Sequence, residues 1–171
     1  MPFSQSLLPE YDQEMQNTRK ILECVPDDKL DYKPHAKSMS IARVATHVAE
    51  LPGWANFTLD REVLEMDSSY TPTIAASRAE LLQMFDKAVA EARAKISAAT
   101  DDDWAKIWTF KWNGQTVMSL PRSAVMRSVI MNHLIHHRAQ LGVFLRLVDV
   151  AIPGMYGPSA DDKPFTAAQA S

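Results

Sequence analysis

The stretch Ser128-Val-Ile-Met-Asn-His-Leu-Ile-His-His-Arg-Ala-Gln-Leu141 holds three of the chain's five histidines within five positions, inside a run of helical periodicity. An α-helix advances about 100° per residue, so His133 and His137 stand about 40° apart on one face, one turn separated. Two imidazoles so placed can reach one metal ion, as paired histidines do in helical zinc motifs. With His133 at zero, Met126 and Phe144 fall near about +20°, Ile130 and Val148 near +60°, Leu141 near +80° and Leu134 near +100°. His137 then lies within an apolar stripe and His136 on its margin. Arg127, Arg138 and Arg146 are assigned to the far side, which gives Arg138 a surface or interface role. Inward histidines need partners, because burying polar groups unpaired is costly. A hydrogen-bonded core pair or a shared metal would each meet that need.

Outward from this stretch, the chain reads as helices. Residues 4–25 carry Leu7, Leu8, Tyr11, Met15, Thr18, Leu22 and Val25 at three- and four-residue spacings, the mark of an amphipathic helix. Pro9 is tolerable in its first turn and Pro26 ends it. Cys24, near its end, reads as a small buried hydrophobe. Residues 26–39 are polar and contain two prolines, so they read as a loop, with His35 in it and a poor ligand candidate. Ser40 is a suitable N-cap for a second helix, whose stripe is Ile41, Val44, Val48, Leu51 and Ala55. Pro52-Gly53 predicts a kink or break, with the helix resuming through Trp54, Phe57, Leu59 and Val63. His47 borders that helix's apolar face and Glu50 flanks it one turn on.

Residues 66–76 read as a linker. Ser77-Arg-Ala-Glu80 has the capping-box pattern, and a third helix follows to about Ala99. Asp101 to Asp103 can cap one short helical turn. Trp108-Thr-Phe-Lys-Trp112 is β-prone, and Asn113-Gly114 is a strong hairpin signal, so 104–118 reads as a hairpin or an irregular segment. Trp104, Trp108 and Trp112 read as core more readily than as pocket wall. The fourth long helix is expected from near Leu120, with Pro121 at its first position, to about Val148. Pro153, Gly154, Gly157, Pro158 and Pro164 mark an irregular continuation. The expected fold is all-α: a four-helix bundle with a short extra helix. It forms a single domain over 1–165, with a disordered tail at 166–171.

Composition sets bounds. With 171 residues, the chain can bury a substantial core as one domain. A net charge of −3 argues against a nucleic-acid-binding domain, which would present a basic patch. A single cysteine excludes an intramolecular disulfide and fits a reducing compartment. There is no signal-peptide pattern at the N-terminus and no apolar run of membrane-spanning length. A soluble cytoplasmic protein is expected, with no nucleic-acid or membrane partner.

The candidate site joins His47 on the second helix to His133 and His137 on the fourth, since bundles build metal sites from facing helices. Three imidazoles suit zinc, nickel, cobalt or iron(II), and three protein ligands leave room for water or substrate. Glu50 is the further candidate, as a base or as the residue that orients His47. It could also close the coordination sphere.

The segments Ser40-Ile-Ala-Arg-Val-Ala-Thr-His47, Asn132-His-Leu-Ile-His-His-Arg-Ala-Gln-Leu141 and Val150-Ala-Ile-Pro-Gly-Met-Tyr-Gly-Pro158 resemble the DinB-like (YfiT-like) family, and the resemblance covers essentially the whole chain. It implies a four-helix bundle, commonly a homodimer. It also implies a divalent metal, nickel or zinc, held by the residues corresponding to His47, His133 and His137. Relatives with known activity are transferases and isomerases that depend on low-molecular-weight thiols, so a small-molecule substrate, such a thiol among them, is implied. The pair Pro52-Gly53 departs from the family pattern. The expectation for function is a metal-dependent enzyme that activates a thiol or a water, as a thiol-dependent transferase or hydrolase. The alternative is a non-catalytic metal-binding stress-response protein.

Overall fold

The structure is a computed structural model and describes residues 1–162. Helix α1 spans Phe3–Glu23, α2 Ile41–Glu50, α3 Trp54–Asp60, α4 Arg78–Ala98 and α5 Asp101–Ala105. Strand β1 is Val63–Met66, β2 Ile107–Trp112 and β3 Gln115–Pro121. The chain closes with α6, Arg122–Val125, which runs through a π-helical turn at Met126–Met131 into α7, Asn132–Arg146. The four long helical segments expected from periodicity are present as α1, α2, α4 and this final helix. The expected tail at 166–171 lies outside the described residues, as does the end of the expected domain.

Local chemistry sets the helix starts. Ser40 Oγ accepts from the Arg43 amide at 3.2 Å, and Ser77 Oγ accepts from the Glu80 amide at 3.2 Å. Each satisfies an orphan donor of a first turn. The short α5 has a full capping box between Thr100 and Asp103. Pro9 sits well inside α1, past the first turn where it was expected. Its missing N–H deprives the Gln5 carbonyl of a helical partner, and Gln5 is exposed, so water can replace it.

The expected break at Pro52-Gly53 is real. A 3-10 turn at Leu51–Gly53 ends α2 and α3 starts at Trp54. The helix does not continue to Val63, however. Val63–Met66 is a strand that pairs in parallel with β2, Val63 opposite Thr109. The all-α expectation is therefore corrected: a three-stranded sheet in the order β1-β2-β3 accompanies the helices. The hairpin is as the Asn113-Gly114 pair implies, with both residues at positive φ, 48° and 76°, the requirement of a tight two-residue turn. Its return strand runs beyond Met118 to Pro121, which ends β3 rather than opening the helix.

The core is the buried face shared by the long helices. α1 packs on α4, and α2 packs on both α4 and α7. Leu7, Tyr11, Leu22, Ile41, Val44, Val48, Phe85, Ile96, Ile130, Leu134 and Leu141 are fully or almost fully buried. Trp104 belongs to this interior, Trp108 is buried on β2 outside that cluster, and Trp112 is exposed. Trp104 Nε1 donates to Ser4 Oγ at 2.8 Å, giving a buried indole its partner. Cys24 is half-buried rather than fully so, and its thiol donates to the Lys20 carbonyl. Among the described residues, no helix is long and apolar enough to cross a membrane.

The buried residues of α7 are Leu134, Arg138, Leu141, Gly142 and Leu145, which centre near about +120° on the wheel that has His133 at zero. The buried stripe is thus rotated from the expected one, towards Arg138. His133 and His137 fall at its edge and are half-buried, and His136 is exposed. Arg138 is a core residue, not a surface one. Its side chain is 3% exposed, beside a Glu14 side chain that is 8% exposed, at 2.7 Å. It also donates to the Glu14 carbonyl, Thr18 Oγ1 and Tyr156 Oη.

Candidate metal centre

The packing of α2 on α7 brings His47 against His133 and His137. One ring nitrogen from each of the three lies within 4.8 Å of the others, and this is the one such group of metal-ligating side chains among the described residues. The ring centroids are 5.1 Å apart for His47–His133, 4.7 Å for His47–His137 and 4.6 Å for His133–His137. His35 is remote in role: its Nδ1 accepts from the Lys37 amide in the loop before α2.

Each imidazole is tied from behind. His47 Nδ1 meets Glu50 Oε1 at 2.7 Å. His137 Nδ1 meets Gln140 Oε1 at 2.7 Å. His133 is hydrogen-bonded to the backbone at Val129, one turn earlier, inside the π-helical turn. Such turns leave carbonyls free of the regular α-helical ladder, and they recur at functional sites. All three partners offer oxygen acceptors. A neutral imidazole carries one N–H, and the bond made by one nitrogen fixes which nitrogen is bare. With the proton on the tied side, Nε2 of each ring presents a lone pair to the shared space. His133 Nε2 and His137 Nε2 are 2.8 Å apart. Two nitrogens at that distance require a proton or a cation between them, and a cation suits two rings whose own protons are held on the outer side. The donor set therefore fits a metal ion: three neutral nitrogen ligands, each oriented by an outer hydrogen bond, as metal-ligating histidines ordinarily are.

Electrostatics favours the same protonation state. Burial pushes the His137 imidazole down from 6.5 to about 4, with the neighbouring histidines adding to the effect and the Gln140 bond opposing it. Burial, then the charge of His47, lowers His133 as well, against the bond at Val129. Both rings stay neutral, as ligands must be.

Glu50 does not join the converging nitrogens. Its carboxylate sits behind His47, with Arg43 Nη1 3.7 Å from the same oxygen. Sequence reasoning left open whether Glu50 closes the cluster, and the structure places it on the outer side. Gln140 and Val129 had no signal of their own in the sequence. Gln140 is visible afterwards as the residue three positions beyond a histidine, the same offset as Glu50 from His47.

The fold and the three-histidine cluster define a class of mainly helical proteins with an inter-helical metal-type site. Comparison with known proteins narrows it. The sequence profile of the DinB family matches residues 1–166, and the chain belongs to that family. Its fold is similar to that of a DinB-like protein from Bacillus cereus, with a TM-score of 0.70 at 21% identity, covering 89% of this chain and 97% of that one. A DinB-like protein from Bacillus subtilis is similar at TM-score 0.65 and 18% identity, covering 88% and 96%. Comparison with the curated proteins finds no match.

Proposed function

We propose that this chain is a metal-dependent enzyme in which His47, His133 and His137 hold a divalent ion, nickel or zinc, and a thiol or a water serves as the nucleophile. The observation that carries the reading is the convergence of three imidazoles, with Nδ1 of His47 and of His137 each tied to a neighbouring side chain. When bound, such an ion supplies Lewis-acid activation, lowering the pKa of a water or thiol towards neutrality or below.

The chain's own residues do the rest. His133 and His137 lie one turn apart on one rigid helix, so their spacing is set by α7 itself. His47 comes from the facing helix, which makes the cluster depend on the α2–α7 packing. Glu50 holds His47 in the tautomer that frees Nε2, with the Arg43 guanidinium 3.7 Å from the same carboxylate oxygen. The three histidines are half-buried rather than sealed, and no fourth ligand stands in the cluster among the described residues. That leaves coordination positions for exchangeable groups, the property that separates catalytic from structural sites. The reaction class is thiol transfer to an electrophile, with hydrolysis as the variant in which water replaces the thiol.

The working unit is proposed to be a homodimer. Val143 on α7 and Leu147 just after its end are 59% and 54% exposed, and an isologous contact would cover them. The test of the function is a screen of metal-loaded protein against electrophiles with several low-molecular-weight thiols, alongside esters and amides, with His137→Ala as control. Metal-dependent turnover lost in that variant supports the reading. Tight metal binding with no turnover on any substrate would leave a non-catalytic metal-binding protein instead.

A further inference from the structure

A groove of about 690 Å³ runs between α3 and α4 and is flanked by β1 and the segment after it. Glu50, the carboxylate that touches His47, forms one of its walls. Gly53, Trp54 and Phe57 line it from the α3 side, Met84 and Ala88 from α4, and Leu64 from β1. The volume is that of a small-molecule site, and sites of this kind combine apolar walls with a few fixed polar groups.

Three features restrict what the groove accepts. Its lining is mostly apolar and partly aromatic, so it favours a ligand with an aromatic or aliphatic body. Its charges nearly cancel: Glu50, Asp60 and Glu91 stand against Lys87 and Lys95, and Lys95 is already paired with Asp60. Net charge on a ligand therefore gains little. Asn56 lines the groove, and its Oδ1 is buried with no hydrogen-bond partner among the described residues. A buried acceptor of this kind costs free energy until a donor reaches it.

We propose that this groove binds a neutral small molecule with an apolar, ring-sized body and an N–H or O–H that donates to Asn56 Oδ1, in a pocket that meets the histidine cluster only through the Glu50 carboxylate behind His47. This binding does not depend on the metal-enzyme reading. A strongly polar or charged molecule would leave its hydrogen-bonding groups unmet along Trp54, Phe57 and Met84. The groove thereby selects its ligand by apolar area and one hydrogen bond.

The test uses the metal-free full chain and N-phenyl-1-naphthylamine, a neutral aromatic probe with one N–H whose fluorescence rises in apolar surroundings. Saturable binding is expected. Ala88→Phe fills the groove and should weaken binding at least tenfold. Phe57→Ala, at a partly exposed position that the fold tolerates, should weaken it severalfold. Asn56→Leu should abolish any preference for the probe over its N-methyl analogue, which lacks the donor. A second apolar groove lies between the outer face of α7 and Ile152–Tyr156, and Ala139→Trp obstructs it. That variant should leave probe binding unchanged. Loss of binding in Ala139→Trp with retention in Ala88→Phe and Phe57→Ala would overturn the proposal, as would no saturable binding by the wild type. Probe binding in a protein that takes up no metal would keep the groove assignment and remove the metal reading, so the two failures are distinguishable.

Discussion

Glu50 offers the sharpest test of how the histidines are held. Its carboxylate is 2.7 Å from His47 Nδ1 and its side chain is 20% exposed, so the bond is only partly screened. Removing an outer hydrogen-bond partner of a metal-ligating histidine typically costs about 10- to 100-fold in metal affinity. Glu50→Gln keeps an acceptor at the same place but loses the charge that raises the basicity of the ring. It should fall at the low end, about tenfold, or about 1.4 kcal/mol. Glu50→Ala removes the acceptor, frees the His47 tautomer and leaves Arg43 without its anion. It should fall near about 100-fold, close to 2.7 kcal/mol. The assay is isothermal titration of zinc and nickel into metal-free protein, with circular dichroism as a check on folding. Equal affinities for wild type, Glu50→Gln and Glu50→Ala would refute the assignment of Glu50 as the residue that orients His47.

Other expectations follow from the same geometry. His133→Ala and His137→Ala should each abolish metal binding, whereas His136→Ala, at an exposed position, should leave it nearly intact; titration of the three variants decides. Arg138→Leu strands the buried Glu14 carboxylate and should destabilise by about 3–5 kcal/mol, read as a fall in thermal midpoint of roughly 6–20 °C for a chain of this size. A loss below about 1 kcal/mol would mean that water reaches Glu14 freely. His133 and His137 have folded pKa values below the ordinary 6.5, His137 at about 4. The unfolded chain therefore binds protons first as pH falls. Metal-free protein should hold this contribution to stability above about pH 6.5 and lose it progressively towards pH 4, with a smaller loss in His137→Ala. Denaturant melts at pH 7 and pH 5 measure this.

The long helices were legible because their signals are local. Spacing, the Ser40 and Ser77 caps and the Pro52-Gly53 break each act within a few residues. The histidine cluster was legible for a related reason: two ligands share one helical turn, and the third borders an apolar face. The strand Val63–Met66 was not, because four residues carry too little alternation and their partners at 109–112 are distant in sequence. The errors around α7 have one source. Apolar residues outside α7 weighted the expected stripe, and that left Arg138 at an angle off it. Its stem and guanidinium are buried because Glu14, Thr18 and Tyr156 satisfy it, and those partners come from α1 and the C-terminal segment. No single helical wheel contains that information. Glu50 was visible as a neighbour of His47, but whether it faces the shared space or the back of the ring depends on a rotamer set by tertiary packing.

The central claim is that the three imidazoles form one metal site with open positions. The most direct measurement is cobalt substitution of the wild-type protein, followed by absorption spectroscopy with metal content determined on the same sample. The account predicts one ion per chain, a spectrum of nitrogen ligation that shifts when a small thiol is added, and loss of both in His137→Ala. A chain that takes up no stoichiometric metal, or one whose bound cobalt ignores added thiol and other exchangeable ligands, would contradict it.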